Sequence, residues 1–241
     1  MSFEFAPWPL PANVQAGWTT RQGGVSQAPF GSFNLAHHVG ESASTVATNR
    51  RLLRQRLPGA PTVTWLHQTH TNRVVHVAAA DPQQGQDGSY CTAVGSACCV
   101  MTADCLPVFF WRADGAQVAI AHAGWRGLAD NILLATLATF DRGDRVYCGI
   151  GPAIGPKAFE VGPEVRAMFS SWPGYEQFFT PHGSKYLCDL AGLAASQLTA
   201  AGVQSVYRSN ACTVQNPELY YSYRRDGQTG RMANLIWKMA R

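Results

Sequence analysis

ACCVMTADCLPVFFWRADGAQVAIAHAGWRG, residues 97–127, reads as apolar strand, short turn with Asp104 and Cys105, apolar strand, Asp-Gly turn, apolar strand, and a glycine-containing bend into a helix. Asp114-Gly115 is the kind of dipeptide that forms the two central residues of a tight hairpin. With that turn, Ala113 faces Ala116 and His122 falls opposite Pro107. Cys105 lies two residues further along the same face. Such diagonal neighbours stand about 7–8 Å apart at the backbone, within reach of one shared ion. Pro107 marks an edge or a bend. The residue pattern alone therefore proposes half of a metal site at the open end of a hairpin.

The whole chain of 241 residues is 46% hydrophobic and 14% charged, long enough for a large core. Its net charge of +4 is mild and its Lys and Arg are dispersed, which argues against nucleic-acid binding. MSFEFAPWPLPANV has neither the basic start nor the apolar run of a signal peptide, and no stretch reaches the length of a membrane helix. Seven cysteines, two of them adjacent and none in a C-x-x-C pair, argue against a disulfide framework and a zinc ribbon. A reduced cytoplasmic setting is the expectation.

Outward from the central stretch, Val14–Thr20 reads as a strand running into TRQGGVSQAPFGSFNL, a long loop carrying Arg21 and Asn34. Ser44–Leu57 has helical periodicity with Ser44 as N-cap, and Arg50, Arg51, Arg54 and Arg56 read as its solvated face. TVTWLHQTHTNRVVHV gives two β-rich pieces around His67 and His70, whose spacing suits one side of a turn but opposite faces of a strand. DGSYCT (87–92) reads as a turn, and a helix is expected at Leu128–Phe140. Further on come a strand and Gly-Pro loop at 145–155, helical character at 160–171 and 187–201, a strand in GVQSVYRS, a turn at Asp226-Gly227 and a final apolar strand. Neither an internal repeat nor a low-complexity linker divides the chain. The expectation is one intertwined domain of mixed α and β structure over 1–241; strands do not alternate regularly with helices and hairpins predominate, which disfavours Rossmann and TIM arrangements.

His67, His70, Cys105 and His122 are the candidate metal ligands. Two nitrogens and a thiolate suit zinc with an open fourth position; copper is disfavoured because no H-x-H pair occurs and His37-His38 is merely adjacent. A Cys105–His122 nucleophilic dyad is the metal-free alternative. Arg21, Arg126 and the Arg224/Arg225 pair are anion candidates, Arg126 because a strand-to-helix bend favours phosphate. GIGPAIG lacks the Gly-Lys-Ser/Thr ending of a P-loop. Asp87, Asp104 and Glu160 are candidate general acids or bases, with turn capping as the alternative role of Asp104 and Asp87.

T-R-Q-G-G-V-S (20–26), S-F-N-L (32–35), H-Q-T-H (67–70), M-T-A-D-C-L-P-V (101–108), H-A-G-W-R-G (122–127), G-P-A-I-G-P-K-A-F-E-V-G (151–162) and S-Y-R-R-D-G-Q-T-G-R (222–231) resemble the YfiH-like family over nearly the whole chain. That family was formerly labelled multicopper polyphenol oxidase or laccase and is now described as purine nucleoside phosphorylase. The resemblance implies zinc on His70, Cys105 and His122, with His67 outside the ligand set, and Arg21, Asn34 and Gln68 near the substrate. It implies an α+β fold like the catalytic domain of cytotoxic necrotizing factor, with mixed β-sheets packed together and flanking helices. Thr71 stands where a glycine often follows the zinc histidine, and Ala153, Ala158 and Phe159 stand where cysteines and a tyrosine are often seen. The implied activity is phosphate-dependent cleavage of adenosine, inosine, guanosine or methylthioadenosine, often with adenosine deaminase activity, by a monomer or homodimer. A cytoplasmic amidase editing a serine-containing peptidoglycan precursor, and a copper polyphenol oxidase, are the alternatives.

Overall fold

The structure is a computed structural model and describes residues 2–240. Strands β1 (Phe3–Phe5) and β2 (Val14–Thr19) form an antiparallel pair ahead of helix α1 (Ala43–Arg56). Strands β3 (Thr62–Thr64), β4 (Val74–His76), β5 (Gly88–Cys91), β6 (Ser96–Thr102), β7 (Leu106–Arg112) and β8 (Val118–Ala123) follow. Helices α2 (Trp125–Ala129) and α3 (Ile132–Leu137) lead to β9 (Val146–Ile150), β10 (Glu160–Val161) and α4 (Pro163–Ala167). The remaining elements are β11 (Phe179–His182), β12 (Lys185–Cys188), α5 (Leu190–Ala200), β13 (Val206–Arg208), α6 (Tyr223–Asp226) and β14 (Met232–Lys238).

They form a five-stranded sheet ordered β1-β2-β14-β6-β3, a six-stranded sheet ordered β13-β9-β7-β8-β5-β4, and a small sheet β10-β12-β11. The two large sheets pack face to face, and the side-chain period of two sorts each interior strand between two cores. From β6, Cys98 and Val100 enter the core between the sheets with Trp18, Phe109, Trp111 and Ile120. Ala97 and Cys99 point the other way, against Leu53 of α1 and Leu57, which caps it. From β7, Leu106, Val108 and Phe110 face Leu128, Leu133, Leu193 and Leu198 of the helices. Strands buried on both faces read as unbroken apolar runs, which is why 97–123 looks hydrophobic throughout. Each fully buried Leu or Phe contributes about 1.5–3 kcal/mol. The result is α+β: helix, sheet, sheet, helices. No helix among the described residues is long and apolar enough to cross a membrane.

The β7–β8 pair has Pro107 opposite His122, the register expected from the sequence, but through a wider turn. Gly115 N–H donates to the Arg112 carbonyl, Arg112 N–H to the Gln117 carbonyl, and the Asp114 carboxylate accepts from Ala116 N–H. Gly115 takes the left-handed φ of 70° that such a closing residue needs. Pro107 lies on an interior strand, not an edge, beyond the last residue paired with β9. The turn at 103–105 is not a hairpin within one sheet: it carries the chain from one large sheet to the other.

Several boundaries differ from expectation. DGSYCT is strand β5, paired with β8. The helix expected over 128–140 is two short ones, separated where Asn131 adopts φ 64°. The segment 160–171 opens as strand β10 before α4, and 187–201 opens in β12 before α5. The cap of α1 is Ser42, whose hydroxyl accepts from Thr45 N–H. Arg50 is not on a solvated face: its guanidinium stacks 3.8 Å over Trp65 and donates to the Leu35 carbonyl.

Candidate metal centre

His70, Cys105 and His122 come from three places in the chain, and their donor atoms lie within 4.8 Å of one another. His122 stands near the end of β8, Cys105 just before β7, and His70 on the loop between β3 and β4. The sulfur of Cys105 is 3.9 Å from His70 Nε2, and the two imidazoles meet edge to face with centroids 4.9 Å apart. The edge of a tetrahedral zinc site between nitrogen and sulfur is about 3.6 Å from the usual bond lengths. The donor set and its spacing therefore fit a metal ion of that size.

Asp87 holds this set together. Its carboxylate, wholly buried, accepts from the N–H groups of Thr69, His70 and Thr71 and from the Thr71 hydroxyl. It also binds His122 Nδ1 at 2.8 Å, which leaves Nε2 for the ion, the carboxylate–histidine–metal arrangement. The backbone bond to His70 fixes that residue at a left-handed φ of 63°. Burial opposes ionisation of Asp87, but His122 and then the N–H groups of Thr71 and Thr69 hold its pKa below the ordinary value. Burial likewise pushes the Cys105 thiol up, yet the charge and hydrogen bonding of His122, then of His70, bring it down to about 6. Burial pulls His122 down, and Cys105 and Asp87 together carry it up to about 9. Gly124 closes the arrangement: a Cβ there would sit 2.8 Å from the His70 ring and 3.0 Å from the Cys105 sulfur.

The three clustered donor residues line a cavity of about 380 Å³, a volume suited to a small molecule. Gln68 and Arg126 line it too. Gln68 spends both ends of its amide on the Met101 backbone, so it pins the His70 loop to β6. Arg126 lies 4.2 Å over Trp125, in a helix of only five residues.

The other predicted residues lie elsewhere. Asp104, at φ 93°, accepts from the Thr213 hydroxyl and Arg224 N–H, capping the approach to α6 behind the cavity wall. Glu160 is on the small sheet, bound by Lys185 and His182. Arg224 donates to the Glu160 carbonyl. Arg21 donates to the carbonyls of Gly31 and Pro217 and lines a different depression. Asn34 is fully buried; it donates to Glu41 and accepts from the N–H of Arg231. His67 is not among the clustered donors.

Sequence reading passed over His38, Met101, Trp125, Tyr223 and Arg231, all of which line the cavity. A signal for Arg231 was present: it follows a Gly-Gln-Thr-Gly turn and immediately precedes the last apolar strand. A separate cavity of about 340 Å³, bordered by Asp189, Arg208 and Cys212, contains none of the clustered donors.

Fold and site define an α+β protein of two packed sheets with a histidine–cysteine centre at the mouth of one sheet. The model of the family described as multi-copper polyphenol oxidoreductase laccase matches residues 15–239. A Pseudomonas aeruginosa protein named purine nucleoside phosphorylase is 45% identical over 95% of this chain and 96% of its own. The Escherichia coli protein named purine nucleoside phosphorylase YfiH is 43% identical with the same coverage. Among solved structures, a Neisseria meningitidis protein of the DUF152 family superposes with TM-score 0.94 at 42% identity over the whole of both chains. The Geobacillus stearothermophilus protein YlmD superposes with TM-score 0.87 at 31% identity, over 100% of this chain and 97% of its own. The chain belongs to the YfiH-like family.

Proposed function

We propose that the chain is a metal-dependent purine nucleoside phosphorylase, acting as one catalytic unit over 1–241 in the cytoplasm. The observation that carries this reading is the cavity lined by His70, Cys105 and His122 and by arginine and aromatic side chains, in a chain whose relatives bear that name. His70 Nε2, Cys105 Sγ and His122 Nε2 would hold zinc, which when bound supplies Lewis acidity to a substrate oxygen at its open position. Two imidazole nitrogens and a thiolate are a donor set that zinc takes in sites with an open fourth position, and the metal content of the purified protein tests that choice.

In phosphorolysis a phosphate oxygen bonds to the ribose C1′ as the bond to the purine nitrogen breaks. The electron pair leaves on the purine, which takes up a proton from solvent. The protein's part is to bind and orient the two reactants. The exposed Tyr223 ring offers a flat face to a purine, and Arg126 and Arg231 offer donors to phosphate. Asp87 positions His122 and His70, while Asp104 is engaged with Thr213 and α6. We assign both to positioning, and Glu160 to an ion pair on the small sheet. Adenosine deamination would be a second activity of the same cavity.

The deciding assay is purified, metal-loaded protein with adenosine, with and without phosphate, scored for adenine, inosine and ribose 1-phosphate. Adenine and ribose 1-phosphate in equal amounts, only with phosphate, is the expected outcome. Base release that ignores phosphate, or none, overturns the phosphorylase reading. Inosine formation reports deamination separately.

A further inference from the structure

The cavity lining contains Arg126, Arg231 and three histidines but no carboxylate. Arg231 and His38 line the same space, close enough for the charge of one to act on the other. Arg231 immediately precedes β14, whose Met232 pairs with Thr102, so it stands beside the 103–105 turn that presents Cys105. Four contacts fix it there. Its N–H donates to Asn34 Oδ1, its Nη1 donates to the carbonyls of Thr229 and Gly230, and its guanidinium lies 5.9 Å from the Tyr223 ring. Gly230 is obligatory for this bend, because a Cβ would meet Asn34 and Tyr221 at 2.9 Å or less. No ion pair among the described residues includes Arg231. A half-buried guanidinium without a carboxylate is costly unless an anion completes it.

His38 beside it is held neutral, so its ring offers one N–H without adding a charge. Burial, then the charges of Arg231, His67, Arg50 and His122, hold its pKa below the ordinary value. Asp104 and Cys105 act on Arg231 through space. Asp104's oxygens are taken by Thr213 and Arg224, and Cys105 belongs to the metal set.

We infer that Arg231 and His38 form an oxyanion subsite for a phosphate group, with buried Asn34 as the residue that aims Arg231. The choice of ligand rests on the phosphorylase reading; the subsite itself rests on a guanidinium held by carbonyls and joined in no ion pair. The shared chemistry is a tetrahedral phosphate, either the free co-substrate or a phosphate carried on a nucleotide. Arg231 provides the planar fork that suits phosphate, and His38 a ring N–H beside it.

The test is a calorimetric titration of the metal-loaded protein with inorganic phosphate, and in parallel with adenosine 5′-monophosphate. Wild type, Arg231→Met, Arg231→Lys, His38→Gln and the control Arg21→Met are compared, with circular dichroism and metal content verifying that each is folded. Phosphate affinity should fall about tenfold or more in Arg231→Met. It should fall less in Arg231→Lys and in His38→Gln, and stay unchanged in Arg21→Met. In phosphorolysis the KM for phosphate should rise in step, with the KM for adenosine within about twofold. Tighter binding of inorganic phosphate than of the nucleotide marks a co-substrate site, and the reverse marks a phosphorylated substrate; both keep the subsite. A folded Arg231→Met that binds phosphate like wild type overturns the inference even if phosphorolysis is observed. Phosphate binding lost in that variant, with no phosphorolysis by wild type, sustains the subsite and removes the phosphorylase reading.

Discussion

Two parts of the cavity lining are built on opposite principles. At the metal end nearly every polar atom already has a protein partner: Asp87 alone gathers the N–H groups of 69–71 and the His122 ring. Only the three donor atoms converging on one point remain to be filled. Elsewhere in the lining Arg231 carries positive charge with carbonyl partners and no ion-paired carboxylate, and the neutral His38 ring lies beside it. The first part is organised to receive a cation, the second to receive an anion. Opposite charges brought into one small space give a site that orients a substrate before chemistry begins.

The largest effect separates the two parts outright. Cys105→Ala and His122→Ala should each abolish stoichiometric metal, measured by mass spectrometry of dialysed protein, while inorganic phosphate still binds within about threefold of wild type. Metal retained by either variant breaks the ligand assignment. Next comes Asp87→Asn. Removing an outer-shell carboxylate costs about 10–100-fold in metal affinity, measured against a competing chelator. Leaving its buried donors unpaired costs about 3 kcal/mol of stability. Because the Asp87 pKa is depressed in the folded protein, its stabilisation is present at neutral pH and disappears as the pH falls through that depressed value. The variant's melting temperature should therefore lose that acid-side dependence.

Gly124→Ala is a milder probe of the same end. Its Cβ would crowd His70 and Cys105, so metal affinity should fall about tenfold while the melting temperature moves only a few degrees. The smallest effect is a proton count. With Cys105 at about 6 and His122 at about 9, the metal-free pair at pH 7.5 is thiolate and imidazolium. Zinc must displace the His122 proton, so loading should release about one proton, read by calorimetry in buffers of different ionisation enthalpy. The release should shrink above pH 9, where His122 is already neutral, and rise below pH 6, where the thiol is protonated too.

How much of this was legible beforehand depended on whether a signal was local. The pairing of Pro107 with His122 followed from Asp114-Gly115 even though the turn is wider, because the register is shared. Cys105 and His122 could thus be paired from spacing. His70 could not: it reaches the centre through a left-handed backbone and three N–H bonds to Asp87 that no periodicity encodes. Asp87-Gly88 reads locally as a turn, yet β8 recruits 88–91 as a strand. Asn131 interrupts a helical pattern by a single residue. Arg50 looked solvated because three other arginines share its helix, whereas Trp65, from a distant segment, draws it inward. Arg231 was overlooked beside Arg224 and Arg225 because only the placement of β14 between β2 and β6 brings it to the cavity.

That placement has a temporal consequence. β14, the last strand along the chain, fills the middle of the five-stranded sheet, and Arg231 arrives with it. Domains fold while the ribosome is still adding residues, at about 5–20 residues per second. An emerging chain holding His70, Cys105 and His122 would still have a split sheet and a cavity with part of its lining undone. The active arrangement can assemble only when this segment has cleared the exit tunnel, so unfinished copies stay inert, and loss of the 232–238 segment should silence the protein without touching one metal ligand.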